Sequence, residues 1–129
     1  MSVWIKICGN TSLADARLAV DAGANAVGFV FAPSPRHVTV SEVAAIVAHL
    51  PATVEKIGVF VDAGFEEIYS TVRSCGLTGV QLHFEAASAL PAKIHERLGA
   101  ALVETVAVPA EYALFEPLAT LKRRYRLDV

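Results

Sequence analysis

The sequence predicts an α/β protein built on a parallel sheet, and three observations carry this prediction. Five short runs rich in Val, Ile and Phe alternate with alanine-rich amphipathic stretches along the 129 residues. The runs are apolar on both faces, as strands are when helices cover both sides of a parallel sheet. Polar or reactive residues gather where the runs end, which is where parallel α/β proteins carry their chemistry.

The predicted strands are short apolar segments that end in loops. They read "VWIKIC" (3–8), "NAVGFVFA" (25–32), "EKIGVFVDA" (55–63), "TGVQLHF" (78–84) and "AALVETVAV" (100–108).

The intervening stretches have the periodicity of helices, at 12–24, 39–51, 64–76, 88–99 and 112–125. In the first stretch the apolar residues recur every three or four positions, which places them on one helical face. Ser12 is the expected N-cap there, with Asp15 three residues later, and Gly23 is the expected stop. In the second stretch we expect Ser41 to open the helix and Pro51 to end it.

A spacing of about 25 residues per βα unit fits a (β/α)8 barrel, and it also fits an open doubly wound sheet. The strand ends favour the barrel, because every one of the first four carries a polar residue. No G-x-G-x-x-G follows the first strand, so a dinucleotide site has no support. We therefore predict a single domain over 1–129, an incomplete barrel of about five βα units.

Composition excludes several classes of function. The chain is 54% hydrophobic with a net charge of −2, so neither disorder nor a nucleic-acid partner is indicated. No apolar run reaches the roughly 20 residues that a membrane-spanning helix needs. The two cysteines, Cys8 and Cys75, lack metal-ligand spacing and cannot form a disulfide framework. The expected location is the cytoplasm, with both thiols reduced and no metal bound.

Cys8 is the first candidate for chemistry. Side chains alternate along a strand, so Lys6 and Cys8 share one face and Ile5 and Ile7 share the other. Lys6, about 7 Å along an extended strand, would favour the thiolate form of Cys8. The alternative is a small buried apolar side chain, the common fate of a free cysteine. Cys75 lies in a helix without polar company, and we expect it to be structural.

Two other strand ends supply candidate ligands. Arg36 lies in "FAPSPRHVT", where two prolines stiffen the loop, and its guanidinium suits a planar carboxylate. Gln81 and His83 share the inward face of the fourth strand, where a histidine can donate or accept a proton. Each of these residues has an alternative structural explanation, as a solvated arginine or a hydrogen-bonded histidine.

Four segments together resemble phosphoribosylanthranilate isomerase, an enzyme of tryptophan biosynthesis. They are "KICGNTS" (6–12), "AVGFVFAPSPRHVT" (26–39), "KIGVFVDA" (56–63) and "GVQLH" (79–83), which match successive strand-end motifs of that family in order and separation. The resemblance covers about residues 3–84.

The resemblance implies a (β/α)8 barrel that catalyses an Amadori rearrangement without cofactor or metal. Its substrate is N-(5-phosphoribosyl)anthranilate, and its product is 1-(2-carboxyphenylamino)-1-deoxyribulose 5-phosphate. By the same resemblance Cys8 is the general base and Arg36 holds the anthranilate. His83, Lys6 and Gln81 are the further residues expected at the substrate.

The sequence departs from the family in three places. Phe84 replaces a glycine, and Glu104 stands near a position where the family offers a lysine. "RYRLDV" (124–129) would open a sixth strand, whereas the family's general acid ends that strand and its phosphate site follows strands seven and eight. We therefore expect the chain alone to be inactive, and its open sheet to be covered by self-association or by a missing C-terminal segment.

Two alternatives remain open. One is a partial barrel that serves as a non-catalytic interaction module. The other is a different phosphosugar barrel, against which "KICG" and "SPR" argue.

Overall fold

The computed structural model describes residues 4–83, 97 and 101–105, and within them it is an α/β protein. Five strands and three helices alternate in chain order. They are β1 (Lys6–Ile7), α1 (Leu13–Asp21), β2 (Ala26–Val30), α2 (Val40–Val47), β3 (Glu55–Val61), α3 (Phe65–Cys75), β4 (Gly79–His83) and β5 (Ala101–Thr105). The predicted helices around 88–99 and 112–125 and the start of a sixth strand fall outside the described residues, except that Arg97 is helical.

The five strands form one parallel sheet in the order β1-β2-β3-β4-β5. Strands that neighbour one another in sequence are therefore neighbours in space, as in a barrel and unlike a doubly wound sheet with its reversal of strand order. This topology confirms the predicted fold class.

The sheet is curved, and one side-chain contact demonstrates the curvature. Lys6 of β1 donates a hydrogen bond from Nζ to Oε1 of Gln81 on β4. These strands are three spacings apart, which would be about 14 Å in a flat sheet. The two side chains meet because they rise from the concave face of an arc.

Local capping explains where the first two helices begin. Ser12 caps α1 as expected, because its side chain accepts a hydrogen bond from the Asp15 backbone N at 3.1 Å. The expectation that Ser41 opens the second helix is wrong. Thr39 is the N-cap of α2, and it forms a reciprocal capping box with Glu42.

The hydrophobic core lies between the helices and the convex face of the sheet. Val27 and Phe29 on β2 and Phe60 on β3 are almost fully buried there. They pack with apolar residues from the inner faces of the three helices, such as Ala16, Val43, Ile46, Ile68 and Val72. This core holds the strands so that their carboxyl ends reach the same edge.

Apolar side chains are exposed on β1 and on the two residues before it, and nothing in the described part of the chain covers them. Trp4, Ile5 and Ile7 are 46%, 48% and 44% exposed. Ile5 and Ile7 lie on the face of β1 opposite Lys6, the face that helices cover elsewhere in the sheet.

Helices long and apolar enough to cross a membrane are absent from the described residues.

Candidate functional site

Cys8 directly follows β1, and its thiol is exposed. The side chain rests against Gly28 of β2: a Cβ built on Gly28 would lie 2.9 Å from the thiol sulfur and 3.2 Å from the Cys8 Cα. The first distance is shorter than real Cβ contacts and the second is tighter than most, so a larger residue at position 28 would displace Cys8 from this place. Lys6 and Cys8 therefore rise from the concave face, above β2.

Arg36 reaches the turn that follows Cys8. Its Nη1 donates a hydrogen bond to the Gly9 carbonyl at 3.2 Å. Gly9 has a φ of +76°, a conformation that favours glycine, and a Cβ there would come within 2.6 Å of Arg36 Cδ. The structure thus brings the guanidinium beside the residue adjacent to Cys8.

The loop that carries Arg36 is held by hydrogen bonds to strand β2 and to itself. The Val38 N–H donates to the Val30 carbonyl at 3.0 Å, and the Arg36 N–H donates to Ser34 Oγ at 3.1 Å. Because both ends of the loop are anchored, the guanidinium is presented from a defined position although Arg36 itself is exposed.

Asn10 belongs to the same cluster, and the sequence-based prediction missed it. The side chain is 3% exposed, and its Nδ2 donates to the carbonyls of Ile7 at 2.8 Å and Gly28 at 3.0 Å. The only signal in the sequence that could have indicated a role for Asn10 was its position two residues after Cys8. The partner at residue 28 is distant in sequence and appears only in the fold.

Lys6 and Gln81 lie on the concave face and bind each other. The ammonium group was expected to act on Cys8; in the structure its hydrogen-bond acceptor is the Gln81 side chain. Both residues are half-buried. The pair therefore places polar groups on the concave face, below the carboxyl ends of the strands, where either side chain can contact a ligand.

His83 is the last residue of β4, in register with Val61 at the end of β3. Its side chain lies outside the described part of the structure, as does Phe84. On β5 the register pairs Val103 with Gln81, and Glu104 with Leu82.

Asp62 adds a carboxylate to the same edge of the sheet. It follows β3 directly, is exposed, and has a φ of 53°. This left-handed conformation is one that Asp tolerates better than most residues.

Cys75 differs from Cys8 in every respect. It is 3% exposed at the end of α3, and its thiol donates to the Val40 carbonyl at 3.4 Å. Burial raises the pKa of this thiol above its ordinary value, and backbone hydrogen bonding opposes the rise. Cys75 is thus a buried neutral thiol between α2 and α3, remote from the strand ends.

Among the residues that the structure describes, no three His, Cys, Asp or Glu side chains group closely enough to hold a metal ion. The described site instead offers an exposed thiol, a guanidinium and an amide–ammonium pair along one edge of the sheet. These groups can accept a proton, bind a carboxylate and hydrogen-bond a polar ligand.

Solved structures of phosphoribosyl anthranilate isomerase have the same fold. One, in complex with reduced 1-(o-carboxyphenylamino)-1-deoxyribulose 5-phosphate, matches with a TM-score of 0.80 and 39% identity, over 88% of this chain and 58% of that one. The enzyme from Thermotoga maritima matches with the same TM-score and identity, over 55% of its length.

Curated relatives carry the name N-(5′-phosphoribosyl)anthranilate isomerase. The protein from Symbiobacterium thermophilum is 53% identical over 81 residues, which are 63% of this chain and 36% of that relative. The protein from Pelobacter propionicus is 48% identical over 101 residues, which are 78% of this chain and 48% of that relative. The chain thus spans half or less of the length of these two relatives.

The sequence profile of N-(5′-phosphoribosyl)anthranilate isomerase matches residues 5–121, which is most of the chain. The chain therefore belongs to the N-(5′-phosphoribosyl)anthranilate isomerase family.

Proposed function

We propose that the protein isomerises N-(5′-phosphoribosyl)anthranilate to 1-(2-carboxyphenylamino)-1-deoxyribulose 5-phosphate in tryptophan biosynthesis, with Cys8 as general base. The observation that carries the proposal is the junction at Gly9, where the Arg36 guanidinium binds the carbonyl of the residue next to the exposed Cys8. Family membership suggests the reaction, and this junction offers the base and the carboxylate-binding group for it.

The chemistry requires two proton transfers at the sugar. Protonation of the ribose ring oxygen opens the ring to a Schiff base between C1′ and the aniline nitrogen. The Cys8 thiolate then removes the proton from C2′, and the electron pair moves into the C1′–C2′ bond to give an enolamine. Tautomerisation gives the ketone. Arg36 binds the anthranilate carboxylate and holds C2′ in reach of the thiolate.

We further propose that the chain alone has negligible activity, because the resemblance assigns the general acid to the sixth strand and the phosphate site to strands seven and eight. In this view the described strands hold the base and the carboxylate-binding part of the site. A cytoplasmic location, where both thiols stay reduced, fits this function.

Binding of the reduced product analogue by calorimetry tests the substrate assignment. We expect Arg36→Gln to weaken binding about 10- to 100-fold, the usual loss for a charge-assisted hydrogen-bonded pair. Arg17→Gln is the matched control, because Arg17 is an exposed arginine on α1 and its loss changes the net charge equally. Equal affinities of the parent and Arg36→Gln chains would overturn the role of Arg36.

Turnover of N-(5′-phosphoribosyl)anthranilate tests the role of Cys8. Any isomerisation above background should disappear in Cys8→Ser and persist in Cys75→Ala. Rapid turnover by the parent chain would refute the proposed lack of activity, and Asp62→Asn would then show whether that rim carboxylate supplies the acid. Turnover that survives in Cys8→Ser would contradict the assigned base.

One observation favours a second candidate, a partial barrel that acts as an interaction module. The exposed side chains of Ile5 and Ile7, on one face of β1 and the residue before it, form an apolar surface of the kind that partners cover. If the chain did not bind the product analogue, and if Cys8→Ser did not change its turnover, this candidate would replace the isomerase proposal.

A further inference from the structure

Asn10 is a buried polar residue whose hydrogen bonds tie the end of β1 to the middle of β2. Its Nδ2 donates to the Ile7 and Gly28 carbonyls, and its backbone N–H donates to the same Gly28 carbonyl at 3.1 Å. Three donated bonds, two from the side chain and one from the backbone of a residue 3% exposed, make a strong local attachment.

The attachment is needed because β1 is otherwise weakly held at this end. Only Lys6 and Ile7 pair with β2 in the ladder, and β1 is the edge strand of the described sheet. Gly9 follows with a φ of +76°, and glycine gives the backbone more freedom than any other residue. Without Asn10, the segment that carries Cys8 would have few restraints.

The partners of Asn10 are also the neighbours of the reacting groups. Gly28, whose carbonyl accepts two bonds from Asn10, is the residue against which the Cys8 thiol rests. Gly9, which precedes Asn10, has the carbonyl that accepts from Arg36. One side chain thus fixes both the surface beneath the thiol and the acceptor of the guanidinium.

We infer that Asn10 is a positioning residue: it fastens the turn after Cys8 onto β2, and so keeps the thiol and the Arg36 guanidinium together on one side of the sheet. The inference rests on the proposed function for the roles of Cys8 and Arg36. Its test needs no turnover.

The test compares the alkylation of Cys8 by two reagents, anionic iodoacetate and neutral iodoacetamide, followed by mass spectrometry of the labelled peptide. Both reagents react with the thiolate, so the ratio of their rates reports the charge near the sulfur and is insensitive to thiol ionisation. One positive charge near the sulfur in largely aqueous surroundings should raise the ratio about two- to fivefold. Arg36→Gln measures the ratio without that charge.

We expect Asn10→Leu, which has similar volume and no donor, to lower the ratio to the Arg36→Gln value. Asn25→Leu is the matched control, since Asn25 holds the opposite end of β1 by accepting from the Ile5 N–H at 2.8 Å. That variant should keep the parent ratio. A parent ratio in Asn10→Leu, or equal ratios in the parent and Arg36→Gln chains, would overturn the inference.

Amide hydrogen exchange in the parent chain keeps the inference testable if Asn10→Leu does not fold. The Asn10 N–H should exchange at least about 100-fold more slowly than an unstructured amide, because its acceptor and side chain are both fixed. Exchange at the unprotected rate would refute the attachment. A parent chain that neither binds the product analogue nor isomerises the substrate, but whose alkylation ratio falls in Asn10→Leu as expected, would count against the proposed function alone.

Discussion

At the scale of single residues, the site depends on two places where a side chain is missing. Gly28 leaves room for the Cys8 thiol, and Gly9 leaves room for the Arg36 side chain. Both are close approaches between segments 20 or more residues apart in sequence. A methyl group at either position would push apart the groups that the proposed reaction needs together.

Gly28→Ala should destabilise the fold by about 1–3 kcal/mol, the usual cost of overpacking a filled space. The added Cβ meets the Cys8 side chain and its Cα, so the strain must be shared between β1 and β2. The midpoint of urea denaturation at constant m-value measures the loss.

A double-mutant cycle with Cys8→Ala identifies the cause of that loss. Removing the sulfur relieves the closest contact, so Gly28→Ala should cost less in the Cys8→Ala background, with a coupling of at least about 0.5 kcal/mol. Strictly additive effects would show that the thiol does not rest on Gly28.

Residue chemistry explains what the sequence could reveal of the site. Cys8 and Arg36 follow strands and bear reactive groups, so strand alternation and residue type were enough to select them. The bond between Lys6 and Gln81 was not predictable, because it depends on sheet curvature. Asn10 was missed because the side chain of an asparagine in a turn usually hydrogen-bonds to nearby backbone groups, and here it also donates to the Gly28 carbonyl of β2.

At the scale of elements, apolar spacing and capping residues in the sequence were enough to predict most of the described helices. The apolar spacing that predicted α1 and α2 is the spacing that the core uses, with Ala16 and Val43 fully buried. The start of α2 was misplaced because both Thr39 and Ser41 are good caps. Thr39 prevails since Glu42 returns a hydrogen bond to its backbone N–H, completing the reciprocal pair.

The contact between α2 and α3 predicts a pH dependence of stability. Burial raises the pKa of the Cys75 thiol, so the folded state holds this proton more tightly than the unfolded chain does. The stabilisation is complete below the unfolded pKa of about 9 and decreases as pH rises through and above that value.

Thermal denaturation at pH 8 and pH 10 measures the effect, in a Cys8→Ser background that removes the other thiol. The melting temperature should fall by less between these pH values in Cys75→Ala than in the parent. An equal fall in both chains would mean that the Cys75 thiol does not contribute.

At the scale of the whole molecule, strands β2 to β4 are well covered on their convex side, whereas β1 is not. Ile5 and Ile7 are nearly half exposed, while the corresponding faces of β2 and β3 are buried by helices. Neighbouring exposed apolar side chains make a surface whose contact with water is unfavourable and which therefore binds apolar molecules.

We expect the chain to bind anilinonaphthalene sulfonate, and the double variant Ile5→Thr, Ile7→Thr to lose at least about half of the fluorescence. Threonine keeps the β-branched shape that suits a strand. Leu18→Thr is the control, because Leu18 is another exposed apolar side chain, 71% exposed, on α1 rather than on the β1 segment. Fluorescence unchanged in the double variant would place the dye elsewhere.

The bond from Lys6 to Gln81 also dictates when the arc can close during synthesis. Its partners are 75 residues apart in the chain. At about 5–20 residues per second, a ribosome needs roughly 4–15 seconds to pass from one to the other. The Lys6 side chain of β1 therefore lacks its Gln81 partner on the concave side until β4 has been synthesised.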